Sequence, residues 1–232
     1  MSTESTEFEI RREVVLPATP EAVFAAVTSG TANWMFPVPE TPEPQAWEPP
    51  GRYAVRVDGE DGWFNALEYV IEAREGGTAV LRYVHSGVLT DDWDNQYDGA
   101  SKHTDFYLHT LGQYLGHFNG RTAAYVSVSG PESSSGPDSL EVLKRALGLT
   151  GQSREGDKVR FDLPGTGTVE AEVDYLNDYF VGLRSADALY RFFGRNSFGG
   201  TVDAAHHLFA ENVDADKTEQ AWQAWLQRAF AG

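Results

Sequence analysis

The chain has 232 residues, 41% hydrophobic and 12% aromatic, enough apolar material for one large domain or two small ones, which excludes intrinsic disorder of the whole. Lys and Arg number 18 against 35 Asp and Glu, a net charge of −17, so neither nucleic acid nor an anionic membrane surface is expected as a partner. Zero cysteines exclude disulfides, thiolate nucleophiles and cysteine-ligated metal.

After an acidic tail of about seven residues, Phe8 to Leu16 has the apolar and β-branched content of a strand, with Arg11-Arg12 breaking the alternation and assigning it to a sheet edge. Thr19-Pro20-Glu21 is a helix start, with Thr19 as N-cap, Pro20 at the first helical position and Val23, Phe24 and Val27 as the apolar face. Six prolines between Pro37 and Pro50 predict a surface loop, because proline suits neither helix interiors nor central strands. A three-stranded antiparallel meander follows at Arg52–Val57, Trp63–Ala73 and Thr78–Val88, with tight turns at Asp58-Gly59 and Gly76-Gly77.

From Ser101 to Phe118, the residues Thr104, Tyr107, Leu108, Leu111, Tyr114, Leu115 and Phe118 fall on one stripe about 120° wide, which predicts a long amphipathic helix. Asn119-Gly120 supplies its left-handed end. Phe106 lies about 140° off the stripe, so a further surface, from the second half or from a symmetry mate, is expected to cover it.

The second half repeats this order. A strand at Thr122–Ser129 leads through a Ser/Gly/Pro loop to a short helix, Ser139–Leu147, opened by Asp138 as N-cap with Glu141 at the third position. Strands are predicted at Lys158–Leu163, Thr168–Tyr175, Tyr179–Arg184, Ala188–Phe193 and Thr201–Phe209, then a long helix from about Asp214 to Phe230 with Trp222 and Trp225 on its inward stripe. The repeated order reads as an internal duplication with halves 1–120 and 121–232.

Several first-half segments resemble the START-like (SRPBCC, birch-pollen-allergen-like) superfamily, in the branch named for the activator of the heat-shock-protein-90 ATPase. They are Val15-Leu16-Pro17-Ala18-Thr19-Pro20-Glu21-Ala22-Val23-Phe24 with Trp34, then Gly76-Gly77-Thr78-Ala79-Val80-Leu81 with His85-Ser86-Gly87, and the helix around Phe106 to Leu115. The second half is similar mainly in strand count and in Trp222-x-x-Trp225-Leu226.

The resemblance implies an α+β helix-grip fold: an antiparallel sheet wrapped on a long C-terminal helix, in two tandem repeats forming a pseudo-dimer. It also implies a cavity between sheet and helix for a small apolar or amphipathic molecule. The wall positions expected from the residues themselves are Phe36, Tyr53, His85 and Leu108 in the first half and Tyr190, His207 and Trp222 in the second. The Pro-rich stretch 37–50 stands where relatives carry a further hairpin and Phe106 stands for a customary tryptophan; the second half, with five strands after its short helix, is the expected place for an enclosed pocket.

The chemistry-bearing motifs are sparse. His206-His207 cannot converge on one ion from a strand, so one ring is expected on the concave face and the other in water. Asp91 to Gly99 fails as a calcium loop because Tyr97 and His103 fall where glycine and glutamate are required, leaving acidic residues that precede the long helix and favour its N-terminal dipole. No G-x-S-x-G elbow or phosphate loop occurs, and neither metal nor cofactor is expected.

No apolar run approaches the roughly 20 residues of a membrane span, and MSTESTEFEI lacks the basic and apolar regions of a signal peptide, so a cytoplasmic protein is expected. Its expected role is to bind a small hydrophobic ligand, and a homodimer is a compatible assembly. Two alternatives remain open: a cyclase- or hydrolase-type enzyme using a cavity histidine or carboxylate, and a co-chaperone-like interaction module.

Overall fold

The structure is a computed structural model that describes residues 6–89 and 92–231. The chain divides into two compact units, Met1–Gly120 and Arg121–Gly232, and each is α+β.

The first unit contains β1 (Thr6–Leu16), α1 (Pro20–Val27), β2 (Pro44–Glu48), β3 (Arg52–Asp58), β4 (Phe64–Arg74), β5 (Thr78–Leu89) and α2 (Trp93–His117). Its antiparallel sheet runs β1-β5-β4-β3-β2. β1 is an edge strand, as its sequence predicts, and the arginine pair that interrupts its alternation has a structural reason. Arg11 points outward to Glu9, whereas Arg12 points inward and grips Asp105 of α2 with two hydrogen bonds, at 2.5 and 3.2 Å, and Ser101 at 2.8 Å. The strand is therefore tied to the long helix through a charged inward residue.

α1 begins where the sequence places it, with Thr19 accepting from the Ala22 N–H and Pro20 at the first turn. Three expectations need correction. The Pro-rich stretch is not loop throughout, because Pro44–Glu48 forms β2; it is an edge strand, where a missing N–H costs no ladder bond, and its register slips between Pro44 and Ala46. The connection from β3 to β4 is longer than Asp58-Gly59, since a 3-10 turn at Glu60–Gly62 fills it and Gly59 N–H closes on the Trp63 carbonyl. α2 starts at Trp93 rather than Ser101, so Asp94 and Asp98 lie inside its first turns, and Asp98 pairs with Lys102 one turn on. Asp91 lies outside the described residues. Phe106 is fully buried.

The helices of this unit cover only part of the sheet. α2 packs chiefly on β1 and β5, and α1 on β4, β5 and α2. The segment after α1 is fixed by Trp34, whose buried indole N–H donates to the Ala26 carbonyl at 2.9 Å, with Thr31 Oγ1 donating to the Thr28 carbonyl at 2.9 Å.

The second unit contains β6 (Ala124–Ser129), α3 (Ser139–Ala146), β7 (Lys158–Leu163), β8 (Gly167–Leu176), β9 (Phe180–Arg184), β10 (Ala188–Gly194), β11 (Val202–Leu208) and α4 (Ala215–Ala229). The sheet order is β6-β11-β10-β9-β8-β7. α4 touches both edge strands, β6 and β7, so this sheet closes around its helix. Asp214 caps α4 by accepting the Lys217 N–H at 3.0 Å. Asp138 makes no such bond to α3, contrary to the expected capping pair, and Glu141 instead accepts from Lys144 at 2.6 Å.

The interior of the second unit is filled by rings. Trp222 and Trp225 lie 5.6 Å apart, each 5.8 Å from Phe161, and Trp222 is 5.6 Å from both Tyr190 and Phe192. His206 joins them, 4.2 Å from Trp222, with Nδ1 accepting the Arg191 N–H at 3.1 Å. His207 points to the opposite face but is buried rather than in water, and its ring lies 5.3 Å from that of its cross-strand partner Tyr125. On that same face Arg191 makes a buried two-point ion pair with Asp174, at 3.0 and 2.7 Å.

Two consequences can be measured. Trp34→Phe leaves the buried Ala26 carbonyl without its donor and should cost about 2 kcal/mol, visible as a lower urea midpoint in circular dichroism. Burial, with His207 adding to it, holds the His206 imidazole well below its usual range, so the folded chain stays neutral there while the unfolded chain takes up a proton below about pH 6.5. Stability should therefore fall as pH drops from about 8 to about 5.5, and His206→Gln should reduce that fall; an unchanged slope in the variant would remove His206 as its source.

Candidate functional site

Alternation along the strands of the first unit places Tyr53, Val55 and Val57 of β3, Asn65, Leu67 and Tyr69 of β4, and Tyr83, His85 and Gly87 of β5 on the sheet's inner face. Registry stacks them into rungs. Tyr53, Tyr69 and Tyr83 are cross-strand neighbours with ring centroids 5.9 and 5.2 Å apart, and Val55, Leu67 and His85 form the next rung. Val57, Asn65 and Gly87 form the third.

Because α2 lies over the β1–β5 side, the β3–β4 side is roofed by the end of α1 and the segment that Trp34 anchors. Between them lies a cavity of about 270 Å³. Val27, Met35, Phe36, Val38, Val55, Val57, Leu67 and the rings of Tyr53 and Tyr69 make its walls mostly apolar. Glu40 and Thr41 stand at its exposed rim, and among the described residues no lysine or arginine lines it.

Its polar lining is mixed: two phenols and an amide can donate, while Thr28 and Thr31 direct their hydroxyl protons to the Phe24 and Thr28 carbonyls. Burial raises the pKa of Tyr53 and raises that of Tyr69 further, so both phenols stay protonated at neutral pH. Asn65 lines the cavity and its Oδ1 lies 2.7 Å from His85 Nε2. A carbonyl oxygen only accepts, so His85 Nε2 carries the proton and donates. Burial lowers the His85 pKa to about 4, which keeps the ring neutral. The ring is held edge-on to Phe8 at 4.9 Å, and Gly87 makes that approach feasible, since a Cβ there would stand 2.8 Å from Phe8 Cε1 and 2.7 Å from the Phe64 carbonyl.

Of the wall positions expected from sequence, Phe36 and Tyr53 line this cavity, and His85 stands behind Asn65. Leu108 lies on α2 beside a separate surface groove with Val14, Val15 and Leu16. Tyr190 and Trp222 lie in the hydrophobic core of the second unit, and His207 lies on the sheet's other face. The three are not brought together around one space. Sequence reasoning passed over Asn65, Leu67, Tyr69 and Met35. The signal for Asn65 was available: in the alternation Asn65, Leu67, Tyr69, Ile71 it is the polar member of an otherwise inward apolar and aromatic set. Among the described residues no group of three or more His, Asp and Glu could hold a metal ion, and no helix is long and apolar enough to cross a membrane.

No protein-family model matches the chain, and no curated protein matches it. Solved structures do. Protein MLL2253 from Mesorhizobium loti is 18% identical over 48% of this chain and 98% of its own, with a TM-score of 0.40. DynU16, a protein of the dynemicin biosynthetic locus, is 15% identical over 96% of both chains, with a TM-score of 0.39. The Aha1 dimer from Colwellia psychrerythraea is 15% identical over 47% of this chain and 96% of its own, with a TM-score of 0.38. All three likenesses lie below 20% identity and below a TM-score of 0.5.

Proposed function

We propose that the first unit binds a compact, largely apolar small molecule in the cavity between β3, β4 and the segment anchored by Trp34. The observation that carries this reading is the convergence of exposed Phe36, Val38 and Val57 on an apolar-walled space that two helices leave uncovered. Large apolar side chains gathered at the mouth of a cavity gain free energy when a ligand removes them from water, at roughly 25 cal/mol per Å². Phe36 and Tyr53 are contact residues in this proposal, while Leu108 lines a separate groove of the same unit.

Binding is favoured over acid/base chemistry by the state of the polar groups. The two phenols are held protonated, and the His85 Nε2–H is committed to Asn65. Neither arrangement leaves a poised base in the cavity. The lack of a nucleic-acid partner belongs to the same proposal, supported by the net charge of −17, and so does a cytoplasmic setting.

The test uses N-phenylnaphthylamine, a neutral dye that brightens in apolar surroundings. The intact chain is expected to give saturable enhancement. Val55→Trp, which puts an indole into the space, should weaken binding about tenfold or more without lowering the thermal midpoint by more than a few degrees. Tyr190→Phe should leave it unchanged. Equal enhancement by Val55→Trp, or loss in Tyr190→Phe alone, would move the site out of the first unit.

A further inference from the structure

The polar groups of the cavity constrain the chemistry of what it holds. Asn65 directs Oδ1 to His85, which is not a lining residue, so Nδ2 is the amide atom left to the cavity side. Among the described residues Nδ2 has no hydrogen-bond partner, and it is not sealed from solvent. The hydroxyls of Tyr53 and Tyr69 likewise bond to no described residue, although both rings are buried in the wall. Donors that lose water on ligand entry must find acceptors in the ligand, or their desolvation is uncompensated.

Charge narrows the class further. With no cation in the lining and Glu40 at the rim, an anionic ligand would enter without a counter-ion. A cation would meet an amide that presents N–H groups toward it. A neutral oxygen acceptor suits both conditions.

We propose that this cavity selects an uncharged ligand carrying a carbonyl-type oxygen, recognised by the Asn65 amide N–H, with His85 as the positioning residue that fixes which way the amide faces. The proposal rests on the binding reading above and deepens it. The short His85–Asn65 bond holds the amide against rotation, and a free amide would present oxygen to the ligand as readily as nitrogen.

The experiment uses two probes of nearly equal shape, acetylnaphthalene and ethylnaphthalene, which differ in a carbonyl against a methylene, with the full-length chain. Both affinities are measured for the native chain, Asn65→Asp, His85→Ala and His85→Gln. Asn65→Asp keeps an acceptor for His85 but replaces the cavity donor with a carboxylate oxygen. The ketone-to-hydrocarbon affinity ratio is expected to fall about tenfold in Asn65→Asp and severalfold in His85→Ala, with recovery in His85→Gln, whose amide can donate to Asn65.

The infrared carbonyl stretch of bound acetylnaphthalene should lie at lower frequency in the native chain than in Asn65→Asp, a readout that a general loss of packing would not produce. A ratio unchanged in Asn65→Asp while both probes bind would overturn the recognition of a carbonyl and leave the cavity reading standing. Failure of both probes and of N-phenylnaphthylamine to bind the native chain would overturn the cavity reading itself.

Discussion

An antiparallel sheet with one apolar face must have that face covered, and what covers it decides whether the interior is solid or hollow. In the second unit the cover is α4, which reaches from one edge strand to the other and drives two tryptophans into the space between. The result is a solid aromatic core. In the first unit α2 sits to one side, held there by Arg12 on Asp105, and the β3–β4 side is left to a short helix and a proline-containing segment. Prolines cannot form a continuous helical lid, so side chains such as Phe36 and Val38 roof the remaining space without filling it.

The groups inside that space are mutually consistent. Burial that raises the tyrosines also keeps His85 neutral, and a neutral His85 with its proton on Nε2 can hold Asn65 by its oxygen. Protonation of His85 would place a buried charge beside Phe8, so the same packing that orients the ring sets its protonation state. The cavity is thus mostly apolar, with no lysine or arginine in its lining among the described residues and with an amide and two phenols able to donate. That combination matches a neutral oxygen-bearing molecule better than an ion.

Much of this was legible in the sequence because its causes are local. Period-two alternation located the strands, Thr19-Pro20 located the start of α1, and the seven-residue stripe located the body of α2. What escaped depends on distant partners. Arg12 looks like an interruption until Asp105 is brought beside it. The acidic opening of α2 looks like a lead-in, because aspartate and Gly99 are weak helix formers and the pairing of Asp98 with Lys102 competes with that tendency. His207 looks solvent-facing in the strand pattern and is buried in the structure, beside the Tyr125 ring of the next strand.

The site was legible in part. Phe36 and Tyr53 carry their aromatic bulk on the face of it, whereas Asn65 matters through a diagonal neighbour two strand positions away, which only the register of β4 on β5 supplies. Family resemblance drew attention to the second half, where strand count suggested room; strand count says nothing about how much of that room two tryptophans occupy.

A neutral small molecule seated in the cavity of the first unit should accompany the protein through purification. The most direct test is native mass spectrometry of the full chain purified from its cells, compared with its denatured mass, followed by identification of whatever is released. The expected native mass exceeds the denatured one by a single uncharged, oxygen-bearing small molecule. Identical masses, with nothing extractable into organic solvent, would contradict it.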